Sequence, residues 1–272
     1  MVSARIPTLR WIAIVLVVLV TIAPYVLTIV SSLKPHAIMF SDKPIWVFKP
    51  TLTHYSTIMI QKGYYRYIFN SLITAVSTLA LSLLIGIPAA YAFSRFRFWG
   101  SSQIRLIILF TCMAPPIGIA FPLYFLFQKW GLLGTRLALV IAHTGLNVGL
   151  VVTVMESFFN GISRELDESA MLDGAGTLTT LTRIILPVAK PGLVAVSILL
   201  FVFSWNEFLA ALILSRGATR TLPVSIPPLM TPMGTLWGQV TALAVTSTIP
   251  IVIFTFFISK HLIRGLTFGA LK

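Results

Sequence analysis

Charge is what this sequence has least of. Only 10% of its 272 residues are charged, and only seven of those are acidic. A water-soluble domain needs about a quarter of its residues charged to coat its surface, and a chain that is 57% hydrophobic cannot supply that coat. There is a single cysteine, Cys112, set in an apolar run, which excludes an internal disulfide and leaves the compartment unread. The four histidines are scattered and show no metal-ligand spacing. No Gly-x-x-x-x-Gly-Lys-Ser/Thr phosphate loop occurs, so nucleotide chemistry belongs to some other chain. The formal net charge of +13 raises the question of nucleic acid. The basic residues stand singly or in pairs between apolar runs and form no stripe, which argues against that partner. No repeat of fixed period and no low-complexity tract is present.

What is abundant is long apolar sequence, with a mean hydropathy of +0.94. A helix that crosses a bilayer needs roughly 20 apolar residues. Six segments meet that need, at 11–33, 69–93, 106–128, 137–155, 193–214 and 240–259. The expectation is an all-α membrane protein forming a single domain over 1–272. The first segment is too long for a signal-peptide core and lacks a small-residue cleavage site, so it reads as a retained helix. Lys and Arg flank the spans, but their distribution between the two sides hardly sets an orientation. Pro115-Pro116 breaks the third span near its middle, and Pro88 and Pro250 are expected to interrupt the second and sixth. Such breaks serve either a moving or binding element or a static kink.

One loop has a chemistry of its own. Glu156, Glu165, Asp167, Glu168 and Asp173, five of the seven acids, fall between residues 156 and 173. Ser163 is a candidate N-cap, with Glu165 in the first turn at the positive end of the helix dipole. Leu166, Ala170 and Asp173 are spaced to share one face. Gly174 and Gly176 release the helix. Thr177 is a candidate cap for a second short helix, with Leu178, Leu181 and Ile185 along its face and Pro187 at its end. The 156–192 stretch therefore reads as helix, glycine turn, helix, outside the bilayer. An interfacial helix normally carries Lys and Arg toward anionic lipid. An acidic helix with a small-residue face suits a groove in another protein better, although a connector resting on the membrane stays open.

These residues also carry a resemblance. Glu168-Ser169-Ala170, then Gly174, Ile184 and Leu186-Pro187 at the right intervals, is similar to the EAA loop of ABC importer permeases, with Ser169 where alanine is usual. Ser31-Ser32-Leu33-Lys34-Pro35, the run Pro88 to Phe96, Ser204-Trp205-Asn206-Glu207-Phe208, Thr221-Leu222-Pro223-Val224, Leu236-Trp237-Gly238 and the run Arg264 to Ala270 extend the match over nearly the whole chain. Together they resemble the carbohydrate-uptake branch, of the maltose-permease G type. The resemblance implies the six-helix type I ABC importer permease fold with a cytoplasmic coupling-helix loop, in a prokaryotic inner membrane with both termini cytoplasmic. It implies a homologous second permease, two ATPase subunits that hold the ATP and Mg2+, and an extracytoplasmic substrate-binding protein. This chain itself would bind no cofactor and catalyse nothing. Glu165, Glu168, Ser169, Ala170, Asp173 and Gly174 would couple it to the ATPases, with the C-terminal Gly269 and Lys272 as a second contact.

Within the spans, Glu207 is the one acid, and an acid there is costly unless it faces a cavity or a partner. Trp205, Asn206 and Glu207 combine a flat aromatic face with hydrogen-bonding groups of the kind sugars need. His143 and Asn147, four residues apart, are candidates for the same path. The competing reading is structural, as hydrogen bonds within the bundle or between subunits. An ion-coupled carrier would want ionisable pairs in the spans, and a membrane enzyme would want clustered His, Asp or Cys. The expected outcome of Glu168→Lys or Gly174→Val is normal membrane insertion with loss of transport-coupled ATP hydrolysis, and normal transport by both would remove the coupling assignment.

Overall fold

The computed structural model describes residues 8–41, 43, 45–232 and 234–269, with side chains described between residues 10 and 260. Ala270 of the C-terminal motif and the candidate contact Lys272 lie outside the described residues. The principal helices are α1 (Thr8–Ser32), α2 (Tyr65–Arg95), α3 (Ser101–Met113), α4 (Pro116–Lys129) and α5 (Arg136–Asn160). They continue as α6 (Glu165–Leu172), α7 (Thr177–Val188), α8 (Lys190–Asn206), α9 (Leu209–Leu214) and α10 (Trp237–Gly269). Strand is limited, among the described residues, to a two-residue antiparallel ladder that pairs Met230 with Thr235 and Thr231 with Gly234. By length and apolar composition four helices suffice to cross a membrane, or six if each of two bent pairs is one span.

The chain forms two compact units. The first comprises Met1–Tyr65 and Ile226–Ile249. Its α1 exposes apolar side chains from Trp11 to Ile29, the condition a lipid solvent tolerates. Below α1, Ser32 Oγ meets the Tyr55 hydroxyl at 2.7 Å and the His54 ring meets the Lys34 carbonyl at 2.9 Å. Lys62 reaches Gln239 at 2.7 Å, which fixes the start of α10 within this unit.

The second unit, Arg66–Ser225 with Pro250–Lys272, holds the larger core. Tyr91 of α2, Val151, Met155 and Phe159 of α5, Leu181 and Ile185 of α7 and Leu200 of α8 pack together. Small residues permit close helix approach, which matters in lipid, where no hydrophobic force drives helices together. At Gly86 of α2 a Cβ would collide with the Val151 side chain of α5.

Proline acts unevenly. Ala114 and Pro115 each precede a proline, and that position is driven out of the helical region. Both adopt extended backbone, with ψ of 135° and 131°. Two such residues in succession turn α4 by 98° from α3, so residues 106–128 are not one straight span. The expected interruptions at Pro88 and Pro250 do not occur, and α2 and α10 run through them as single helices. One missing N–H costs about 3 kcal/mol, and packing on either side of Pro88 outweighs it. A second correction concerns 193–214, which is not one helix, because α8 ends at Asn206 and α9 starts at Leu209.

Gly86→Leu is expected to destabilise the α2–α5 contact by about 1–3 kcal/mol. Gly145→Ala, where the added Cβ meets nothing within 4 Å, is expected to leave stability unchanged or slightly raised. Thermal denaturation in detergent checks both.

Candidate functional site

The acidic loop folds around one buried carboxylate. Helix α6 begins at Glu165, whose N–H donates to Ser163 Oγ at 3.3 Å, and three acids occupy its first turn. Its far end is a Schellman motif: Ala175 N–H donates to Ala170 C=O at 2.9 Å and Gly174 N–H to Met171 C=O at 3.0 Å. Gly174 takes φ +84°, the left-handed value the motif requires. Gly176, at φ −74°, is extended and is not a second left-handed cap.

The inward face of α6 is Asp167 and Ala170, each 5% exposed or less. Asp167 Oδ1 accepts a hydrogen bond from the Tyr91 hydroxyl, and Oδ2 accepts from Arg95 Nε at 2.9 Å. Arg95 also donates to the Ile162 carbonyl at 3.1 Å. Arg164 donates to the Ser94 carbonyl at 3.0 Å, and Ser94 Oγ to Asn160 at 2.7 Å. The last turn of α2 thus grips the start of α6 and the end of α5. Leu166 and Asp173, expected beside Ala170, are exposed instead, because the carboxylate with an arginine partner takes the inner face. Glu165, Glu168, Ser169, Asp173 and Gly174 face outward, together with Met171 and a Leu172 that is 90% exposed. Asp167 was not among the sequence candidates. Its signal was Arg95 and Tyr91 in the Pro88-to-Phe96 run, two groups that bury well only with an acceptor.

Helix α7 starts after Gly176 without a side-chain cap from Thr177. It buries Leu181 and Ile185 but leaves Leu178 exposed. Pro187 does not end it. A wide π turn over Thr180–Ile185 precedes the proline and relieves its clash with the preceding turn, and the bend of 83° falls after Val188.

The second cluster surrounds the break between α8 and α9. Glu207 caps the new helix, with Oε1 accepting from Ala210 N–H at 2.7 Å and Oε2 from Ala211 N–H at 2.9 Å. Fully buried His143 places Nδ1 2.9 Å from Ser204 Oγ. Its Nε2 lies 3.2 Å from Glu207 Oε2, near enough for a charge pair but outside hydrogen-bond geometry. Asn147 donates to the His143 carbonyl at 2.6 Å. A cleft of about 380 Å³ opens here, lined among others by Thr111, Pro115, Asn147, Phe203 and Glu207. Trp205 stacks inward on Phe201 at 5.8 Å, and exposed Asn206 bonds the Val202 carbonyl at 2.9 Å. Neither is among the residues lining the cleft. Thr111 and Phe203 line it without having stood out in the sequence, since neither residue type is rare in a span.

Removing either partner of the Asp167–Arg95 pair strands a buried charge and is expected to cost about 3–5 kcal/mol, with Arg95→Ala/Asp167→Ala together costing less than the two singles summed. Thermal melts of the purified chain check this.

Residues 82–268 match the model of the binding-protein-dependent transport system inner membrane component family. The trehalose/maltose transport system permease protein MalG of Thermococcus litoralis is 34% identical over 262 residues, 95% of this chain and 94% of that one. The sulfoquinovosyl glycerol transport system permease protein SmoH of Agrobacterium fabrum is 32% identical over 267 residues, 97% of this chain and 93% of that one. Among solved structures, a chain of a bacterial ABC transporter involved in the import of the acidic polysaccharide alginate superposes with TM-score 0.78 at 22% identity, covering 96% of this chain and 98% of its own. The fold is therefore that of an ABC importer permease, whose task is transport and not catalysis. The chain belongs to the family of binding-protein-dependent transport system inner membrane components.

Proposed function

We propose that this chain is one of two homologous permease subunits of a sugar importer, driven by two separate ATPase subunits that bind ATP and Mg2+ and supplied by an extracytoplasmic binding protein. Its spans, at 11–33, 69–93, 106–128, 137–155, 193–214 and 240–259, form a single permease domain in a prokaryotic inner membrane, with both termini and the 156–192 loop on the cytoplasmic side. The observation that carries this reading is the two-sided character of α6. One face is pinned to α2 through Asp167, while Glu165, Glu168, Ser169 and Asp173 are left on the other beside exposed Leu172. A short helix fixed on one side and open on the other passes on displacement without unfolding, which suits coupling to an ATPase groove.

The cargo is a saccharide or a related polyol or sugar phosphate. The support is the sugar in the names of the two relatives above and the make-up of the cleft. Phe203 and Pro115 offer apolar surface, while Asn147 offers an amide group for hydroxyls.

The His143–Glu207 pair favours a second reading, an ion-coupled carrier, because such carriers use ionisable pairs within their spans. Against it, both oxygens of Glu207 already hold backbone N–H groups of α9. Proteoliposomes distinguish the two. The expected result is uptake of a radiolabelled saccharide only with ATP, the ATPases and the binding protein, and none driven by a proton or sodium gradient alone. Gradient-driven uptake by this chain in isolation would overturn the importer reading.

A further inference from the structure

Helices α2 and α5 are braced to each other and to a loop at both of their ends, all within the second unit. At one end, Tyr91 and Arg95 of α2 hold Asp167 of the acidic helix, and Ser94 holds Asn160 at the end of α5. At the other end, Asn70 of α2, 1% exposed, donates both amide hydrogens to loop carbonyls, at 2.7 Å to Ala218 and 2.9 Å to Arg220. Arg136, the first residue of α5, donates to Asn70 Oδ1 at 3.1 Å. Ser71 Oγ accepts the Leu222 N–H at 2.8 Å, and Thr219 Oγ1 donates to the Gly134 carbonyl at 2.9 Å, beside the start of α5. Between the two ends, Gly86 brings α2 against Val151 of α5. Helix α2 has 31 residues, hence about 45 Å of length at 1.5 Å per residue, which exceeds the hydrocarbon thickness of about 30 Å.

We propose that α2, stiffened by α5, is the strut that carries displacement of the acidic helix to the 216–222 loop at the opposite end, and that Asn70 is the positioning residue that makes this loop follow. The inference rests on the coupling reading above and adds to it the route and the far-side receiver. Three physical features support it. An uninterrupted helix resists bending where a broken one does not, and α2 stays whole while the α3–α4 pair does not. Side-chain amides on loop carbonyls fix the backbone itself, so the loop has no slack relative to α2. Buried hydrogen bonds of this kind are also costly to leave unmade.

The test uses the assembled importer in nanodiscs, with its second permease, ATPases and binding protein, in a Cys112→Ser background. A nitroxide is placed by Ser163→Cys beside the acidic helix or by Ala218→Cys in the far loop, both exposed positions. ATP, Mg2+ and vanadate are then added, and the spectral shift of each label is read. The expected result is a shift at both labels in the background chain. With Asn70→Ala the shift at residue 163 is kept and the shift at residue 218 is lost. Should Asn70→Ala fail to assemble, Ser71→Ala removes a single bond to the loop and is expected to reduce the residue 218 shift while sparing that at 163. A residue 218 shift that keeps its full size in the assembled variant would overturn the strut. No shift at residue 163 in the background chain would instead overturn the coupling reading itself.

Discussion

The carboxylate of Asp167 is the constraint from which the arrangement of the acidic loop follows. Only 7% of its side chain is exposed, as is the case for Arg95, and a charge so placed is tolerable only with its partner and its remaining acceptors occupied. Tyr91 and Arg95 occupy them. Once Asp167 points inward, the helical period decides the rest. Ala170, one turn later, is buried with it, and Glu165, Glu168, Ser169 and Asp173 turn to water. The pair thus determines which face of α6 is left exposed and binds that helix to the end of a membrane helix. A pair of apolar residues would bury equally well but would fix neither rotation nor register so narrowly.

Two terminations of helix on this chain are solved by different means. At Gly174 the backbone turns left-handed and the helix closes on its own carbonyls. At Glu207 a side chain captures the free N–H groups of the next helix. The first is a solution for water, where glycine's flexibility is harmless. The second suits an apolar surround, because the cap and the groups it satisfies come from within a few residues of each other, and no solvent is needed.

Much of this was legible in the sequence, for identifiable reasons. Long uncharged runs can only be membrane helices. Five acids in one loop announce a foreign chemistry, and Pro115-Pro116 forces two extended residues whatever surrounds them. Less legible was whatever depends on a distant partner. Asp167 looked like one acid among five, because Arg95 stands 72 residues away. Pro88 looked like a break, because its cost is local while the packing that offsets it is not. The division between α8 and α9 carries neither proline nor glycine, since the capping glutamate does that work. Trp205 looked like a binding surface by residue type, but its neighbours on the same helix draw it inward onto Phe201.

Leu172 is 90% exposed and Leu178 is 70% exposed, on either side of the glycine turn. For a lone subunit this is a matter of solubility. Two exposed leucines flanking a tight turn are apolar surface that favours association with other apolar surface. In the isolated chain that surface stays uncovered, a local aggregation hazard beside a helix end whose carbonyls are otherwise satisfied by its own turn.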